Sequence, residues 1–306
     1  LTILLWAELD SVAVALAWGT LGLIVFEIGK SFSLSPMIWQ GHLLAGLSFG
    51  RLFMANFVAP TEVMGISHRV VTVVPIVALL YYFRSMTKAN SGGPNKTFFE
   101  FPLSAVYSYG AAILLVVLAR FEFGRANAVM AMALMFVVFL VLGIYLRDRD
   151  FRYQSYIIAG MTFARSWATN VYLVGSFYGI PERIATLLPS IAAFFTATAI
   201  SMSRQVPQEK AGQTKIIRWL QLGDKNNRVL FSFLGTVLLA VLTYYELPSN
   251  LVTMAWAIEA LVLIAVGFAV QEKFFRIYGL ILLFICLIKL VIIDLEGVET
   301  IFRRIS

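Results

Sequence analysis

The sequence predicts an all-α polytopic membrane protein made of tandem parallel repeats of a four-transmembrane-helix unit. Three observations predict this fold class. The first is composition: 60% of the 306 residues are hydrophobic and 13% are charged, whereas soluble domains have about 45–50% apolar and about 25% charged residues. The second is that apolar runs of roughly 20 residues, the length of a membrane-crossing helix, recur along the whole chain. The third is an internal repeat.

The repeat emerges when residues 1–56 are laid without a gap on 115–170 and on 239–294, at offsets of 114 and then 124 residues. Chance alignment of apolar helices matches Leu with Val, but it does not hold Glu, Gly, Arg and Pro at fixed offsets. The coinciding residues are Glu8, Glu122 and Glu246; Gly29, Gly143 and Gly267; the cations Arg51, Arg165 and Lys289; and Asn56, Asn170 and Asp294, five residues after each cation. The first two copies also align Gly65 with Gly179, Arg69 with Arg183 and Pro75 with Pro189.

Each unit is predicted to contain four spans. The first span ends at the glutamate, the second ends near the glycine, the third carries the cation and the fourth contains the proline. This gives a stub at 1–7 and ten full spans, at 11–29, 36–56, 68–86, 103–120, 127–146, 154–176, 185–203, 229–246, 250–270 and 276–294. An even number of spans gives successive units the same orientation, unlike the inverted repeats of many secondary transporters.

Three units are predicted, at 1–102, 103–228 and 229–306, with the first helix of unit 1 truncated and unit 3 incomplete. The apolar run from residue 1 to Glu8 has the pattern of a helix whose start is missing. We therefore expect the chain to be part of a longer protein.

The distribution of positive charge predicts the orientation. The loops after the second and fourth spans carry fifteen Lys and Arg residues, against six on the opposite side. By the positive-inside rule, the loops after the second and fourth helix of each unit are cytoplasmic. The net charge of +7 is then a topology signal, and nucleic acid is not an expected partner.

The intramembrane charges are predicted to form structural ion pairs, because an unpaired charge in the hydrocarbon core costs roughly 2.5–3.5 kcal/mol. The glutamate of each first span and the cation of each third span lie at overlapping depth in the outer half of the bilayer. The predicted pairs are Glu8 with Arg51, Glu122 with Arg165, and Glu246 with Lys289.

A functional alternative is that one unit has turned its pair into a proton, ion or headgroup site. Unit 3 is the candidate because it alone has Lys for Arg and Asp for Asn, and it adds Glu259 inside WAIEALVL. The candidate functional residues are therefore Glu259, Lys289, Asp294 and Arg303. Glu259 has no partner visible in the sequence, and such an intramembrane carboxylate is a functional-site hypothesis by default.

Other site chemistries have no support in the sequence. The chain has one cysteine, Cys286, and two distant histidines, His42 and His68, so neither a disulfide framework nor a metal site is expected. No nucleophile elbow or Ser, His and Asp constellation is present. No catalytic residue and no cofactor is predicted.

The C-terminal segment resembles a family of very large bacterial predicted membrane proteins of unknown function. The similar pattern is W-A-x-E, then R-x-x-G, then K-x4-D-L and a short G and Y/F-R segment, over about 256–306. It falls on Trp256, Ala257, Glu259, Arg276, Gly279, Lys289, Asp294, Leu295, Gly297, Phe302 and Arg303. The resemblance implies a polytopic protein of the bacterial inner (cytoplasmic) membrane with further spans. It implies no activity, and the first two copies depart from the pattern.

Three functions remain open on the sequence alone. The leading hypothesis is a non-enzymatic scaffold or accessory subunit that packs in the lipid bilayer against other membrane subunits or the rest of a longer chain. A transporter or channel would use the charges of unit 3 along a wetted path. A membrane enzyme on lipid-linked or envelope substrates would need an outward cavity gathering Glu246, Glu259, Asp294 and Arg303.

Overall fold

The computed structural model describes residues 13–58, 62–63, 65–89, 97–98, 101–203 and 226–294. These residues form ten α-helices and three two-stranded hairpins. The helices are α1 (Ala13–Ser31), α2 (Ser35–Arg51), α3 (His68–Ala89), α4 (Leu103–Glu122), α5 (Gly124–Tyr145), α6 (Arg149–Ala168), α7 (Glu182–Ser203), α8 (Asn227–Glu246), α9 (Ser249–Ala269) and α10 (Lys273–Lys289). The predicted stub at 1–7 lies outside the described residues.

Eight helices in this part of the chain are long and apolar enough to cross a membrane: α1, α3, α4, α5, α7, α8, α9 and α10 with its extension. This confirms an all-α chain with many membrane-length helices. The spans predicted at 36–56 and 154–176 also begin as helices, α2 and α6, but they are not among the eight. Helix α2 has 17 residues, and α6 opens with the polar sequence Arg-Asp-Phe-Arg-Tyr-Gln-Ser.

Two helices continue into a π-helical turn. Leu52–Asn56 follows α2 directly, and Leu290–Asp294 follows α10. After α6 a short 3₁₀ turn, Asn170–Tyr172, takes the corresponding place in the chain. Such local irregularities are frequent at functional sites and at points of strain, and here they lie at the ends of the helices that carry Arg51, Arg165 and Lys289.

The chain divides into two compact bodies, Leu1–Gly124 and Arg125–Ser306. In the N-terminal body, α1 packs against α2, and α3 packs against α4. Its core contains the buried side chains of Phe26, Ile76, Phe83 and Leu114.

In the C-terminal body, α7 packs against α8 and α9 packs against α10. One of its buried clusters contains Ala260, Leu263, Phe275 and Leu282. The predicted unit boundaries at 102/103 and 228/229 differ from the division at 124/125, and they stay predictions.

Three glycines allow a close approach between consecutive helices. A Cβ built on Gly29 would lie 2.8 Å from the backbone N of Ile38. At Gly143 the corresponding distance is 2.7 Å to the backbone N of Arg152, and at Gly267 it is 2.8 Å to that of Arg276. In each case the contacted residue lies nine positions later, at the start of the next helix.

Further contacts recur at the same offsets in the α1/α2 and α9/α10 pairs. The Ser48 hydroxyl donates to the Ala15 carbonyl at 2.6 Å, and the Cys286 thiol donates to the Thr253 carbonyl at 2.9 Å. The connections before α2, α6 and α10 each contain one non-glycine residue in the left-handed region: Ser33 (φ 55°), Arg147 (φ 50°) and Gln271 (φ 58°).

Two of the hairpins precede the proline-containing helices. In the first hairpin, strands β1 (Glu62–Val63) and β2 (Ile66–Ser67) pair antiparallel before α3. In the second, β3 (Thr97–Phe98) and β4 (Phe101–Pro102) pair before α4. In the third, β5 (Ser176–Phe177) and β6 (Ile180–Pro181) pair before α7. Gly65 and Gly179 have φ of 77° and 82° in the turns of the first and third hairpins. Tight hairpin turns need such left-handed backbone, and these turns place Arg69 and Arg183 in the first turn of the following helix.

Candidate functional site

One ion-pair cluster lies at the end of α4 in the N-terminal body. The Arg69 Nη1 and Glu122 Oε1 atoms are 3.9 Å apart, and the Ser67 hydroxyl donates to the same Oε1 at 2.6 Å. Arg69 Nε donates to the Phe57 carbonyl at 3.0 Å. The guanidinium carbon lies 5.1 Å from the centroid of the Phe121 ring. The cluster thus combines a charge pair, hydrogen bonds and a cation–π contact.

A second cluster, at the end of α8 in the C-terminal body, is built in the same way. Arg183 Nη1 lies 3.2 Å from Glu246 Oε1 and donates to the Tyr245 carbonyl at 2.9 Å. Its Nη2 donates to the Leu173 carbonyl at 3.1 Å. The guanidinium carbon is 5.3 Å from the centroid of the Tyr245 ring.

The ion pairs of these two clusters are half-buried. The charged side chains are 20% and 21% exposed in the first cluster and 15% and 19% exposed in the second. Removing one member of a buried pair leaves an uncompensated charge, which costs far more than losing an exposed pair. Each cluster thus joins two helices through a half-buried ion pair, α3 with α4 and α7 with α8.

Glu246 pairs with Arg183, because α7 begins beside the end of α8 and brings the arginine to the same level. The predicted pair of Glu246 with Lys289 stays a prediction. Lys289 Nζ donates to the Ser249 carbonyl at 3.1 Å and to the Thr253 hydroxyl at 2.7 Å. Lys289 therefore reaches the first turns of α9.

The other two predicted pairs have different outcomes. Glu122 contacts Arg69 and Ser67, while its predicted partner Arg165 belongs to the other body and donates to the Arg125 carbonyl at 2.7 Å. That pair stays a prediction. Glu8 lies outside the described residues, so its predicted pair with Arg51 also stays a prediction.

Arg69 and Arg183 were not predicted as partners, although the sequence contained a signal for them. They occupy equivalent positions in the first two copies, four residues after Gly65 and Gly179. The alignment marks them as a repeated feature without giving them a partner. Their place in the first helical turn, beside the end of the next helix, is information that only the packing provides.

Among the candidate residues of unit 3, the structure describes the side chains of Glu259 and Lys289. Glu259 is 8% exposed on α9, and neither of its carboxyl oxygens has a hydrogen-bond partner among the described residues. Lys289 binds Ser249 and Thr253 near the start of the same helix. Asp294 ends the π-helical turn after α10, and Arg303 lies outside the described residues.

Each body contains a cavity without a charged lining residue. The cavity in the N-terminal body measures about 420 Å³ and is lined by α2, α3 and α4, including Phe49, Tyr107 and Tyr109. The cavity in the C-terminal body measures about 440 Å³ and is lined mainly by aromatic and aliphatic side chains, including Tyr244, Trp256 and Tyr278. Both are suited to apolar groups.

His42 lies in an aromatic cluster of the N-terminal body. Its Nδ1 atom is 2.6 Å from the Tyr107 hydroxyl, and its ring lies 5.2 Å from that of Phe26 and 5.8 Å from that of Phe83. Within the described residues, no group of three or more His, Cys, Asp and Glu side chains is placed to hold a metal ion. His42 is thus a core histidine with a tyrosine partner.

Comparison with known proteins found no matching family model, no matching curated protein and no matching solved structure.

Proposed function

We propose that the chain is a scaffold or accessory subunit of a membrane assembly, built from tandem parallel repeats of a four-helix unit. The repeat is supported by the glycine approaches at Gly29, Gly143 and Gly267, which recur at the offsets of the sequence alignment. The left-handed residues before α2, α6 and α10 recur at the same offsets. Sequence and local geometry thus give the same register.

One observation carries the scaffold proposal: the two ion-pair clusters join the fourth helix of one proposed unit to the first helix of the next. Arg69 on α3 binds Glu122 on α4, and Arg183 on α7 binds Glu246 on α8. Repeat proteins gain stability from such contacts between neighbouring units. A packing device is copied with the unit, whereas an active site is usually unique.

The outer faces of α9 and α10 support a role in assembly within the bilayer. Leu261 is 60% exposed, Val262 54%, Phe284 63% and Leu287 55%. Apolar faces of this extent are covered by lipid or by other membrane helices. We propose the bacterial inner membrane as the location, with other membrane subunits or further helices of the same protein as partners.

A transporter and a membrane enzyme remain as alternative proposals, each with its own requirement. Transport through unit 3 requires a wetted path past Lys289, and enzymatic activity requires an accessible carboxylate. In the described residues Glu246 is bound to Arg183. This contact engages one of the carboxylates that the enzyme proposal requires to be accessible, and it favours the scaffold.

The scaffold proposal predicts a discrete assembly in the native membrane. Full-length protein, tagged at its natural locus and solubilised in a mild detergent, should migrate on a native gel as one complex. Purification through a tag on this protein, or through a tag on a recovered partner, should give the same membrane subunits in a fixed ratio. Photo-crosslinkers at Phe284 and Leu287 should capture one of these subunits. A matched crosslinker at Tyr145, which is 75% exposed and on α5, should not.

Two results would contradict the scaffold. One is a protein that migrates alone from native membranes and, in liposomes, carries a solute flux that K289M abolishes. The other is turnover of a lipid-linked substrate by the purified chain. The first would establish the transporter and the second the enzyme.

The proposed topology predicts opposite accessibility for two exposed tyrosines. Tyr178 lies in the turn of the third hairpin and is 93% exposed, and Tyr145 lies at the end of α5 and is 75% exposed. In intact cells, a membrane-impermeant maleimide should label Y178C and leave Y145C unlabelled until the membrane is opened. The native Cys286 is buried and serves as the background control. The reverse labelling pattern would show that the topology is opposite to the proposed one.

A further inference from the structure

Glu259 is a buried carboxyl group in the middle of a membrane-length helix. It lies eight residues after the first residue of the span Leu251–Ala269, and 8% of its surface is exposed. Both carboxyl oxygens are buried, and within the described ranges neither has a hydrogen-bond partner. Trp256 and Leu263 lie three and four positions away, so the three residues share one face of α9.

This face of α9 packs against other helices. The Trp256 indole donates to the Ala240 carbonyl of α8 at 2.9 Å, and Leu263 belongs to the buried cluster that includes Phe275 and Leu282 of α10. Gly279 of α10 approaches the next residue, Ala260, so closely that an added Cβ would lie 2.6 Å from its carbonyl oxygen. Glu259 is therefore enclosed between helices.

Several titratable groups on the helices that pack against α9 make contacts with residues other than Glu259. On α10, the Arg276 guanidinium lies over the Phe268 ring, and the Tyr278 hydroxyl donates to the Val229 carbonyl. The Cys286 thiol and the Lys289 ammonium bind near the start of α9. On α8, Arg228 binds Glu272, and Glu246 binds Arg183. Tyr244 and Tyr245 lie in the last turn of α8. Lys273 is the first residue of α10.

A proton is the ligand that this geometry accommodates. An ionised carboxylate without a partner is strongly disfavoured in the hydrocarbon core, and such a group neutralises instead. A metal ion requires several ligating groups, and no cluster of three potential ligands occurs in the described residues. One proton from water forms an O–H bond with one carboxyl oxygen, and its release to water restores the carboxylate.

We infer that Glu259 is a proton-binding site within the membrane, held as a neutral carboxylic acid between α8, α9 and α10. This site is independent of the scaffold proposal, because its geometry involves neither ion-pair cluster. It equips the third proposed unit with a titratable group that the equivalent positions Leu21 and Met135 lack.

Infrared difference spectroscopy on the full-length protein in lipid vesicles tests the inference directly. Subtracting the E259Q spectrum from the wild-type spectrum at neutral pH should leave the carbonyl band of a protonated acid. The band should shift in D₂O and disappear when the pH is raised far enough to ionise the group. The matched control is E272Q, which removes the half-buried ion-pair partner of Arg228 and should leave carboxylate bands instead.

The infrared spectra distinguish a protonated Glu259 from an ionised one. Carboxylate bands in the E259Q difference spectrum would overturn the inference, since Glu259 would then be ionised and paired. A protonated band that neither shifts in D₂O nor responds to pH would also overturn it, because a site must exchange its proton. If E259Q does not fold, ¹³C-glutamate labelling of the wild type should still show one isotope-shifted protonated carbonyl at neutral pH, and its absence would count against the site.

Discussion

Replacing Gly41 by valine is expected to destabilise the N-terminal body by about 1–3 kcal/mol or more, the typical cost of overpacking a closely packed interior. A Cβ at this position would lie 2.7 Å from the Phe26 Cβ and 2.9 Å from the Gly22 carbonyl oxygen. The carbonyl is backbone, so relief requires α1 and α2 to separate. Thermal unfolding of the purified protein in detergent, followed by loss of the monodisperse peak, measures the effect.

Gly46 provides the control on the same helix. No atom lies within 4 Å of a Cβ built there, so G46V carries the same helix-propensity cost without the clash. The expected result is a large fall in the unfolding temperature for G41V and a small one for G46V. Equal falls would show that α1 and α2 do not cross as closely as the structure places them.

The helices and their glycine contacts were predictable because each depends on local sequence. Apolar runs fix the helices, and the coincidence of Gly29, Gly143 and Gly267 marked positions where a side chain is excluded. The apolar run around Glu259 predicts its place in a membrane-length helix. Patterns within one helix therefore describe the fold well.

The partners of the charged residues were not predictable, since partner choice depends on which helices become neighbours. The alignment showed that Glu246 and Lys289 recur, but not that α7 begins where α8 ends. Arg183 therefore binds Glu246, and Lys289 donates hydrogen bonds to Ser249 and Thr253. Repetition identifies equivalent residues, and only packing identifies the contacts between them.

Neutralising Arg183 should cost about 3 kcal/mol of stability, the lower end of the range for breaking a buried pair, because its side chain is still 15% exposed. R183M keeps much of the aliphatic volume but loses the bonds to Glu246, Tyr245 and Leu173. The Glu246 carboxylate is then left without its cation. The measurement is again the unfolding temperature in detergent, compared with R228M.

The R228M control addresses an exposed pair in the same body. Arg228 is 44% exposed and lies 2.7 Å from Glu272, and pairs of this kind contribute about 0.2–1 kcal/mol. The double variant R183M/E246Q should lose less stability than the sum of the two single variants, because it leaves no unpaired charge. Additive losses, or an R228M effect as large as that of R183M, would mean that Arg183 acts through its carbonyl bonds alone. The bond to the Tyr245 carbonyl would then be the contact that joins α7 to α8, and the proposal that the ion pair couples successive units would fail.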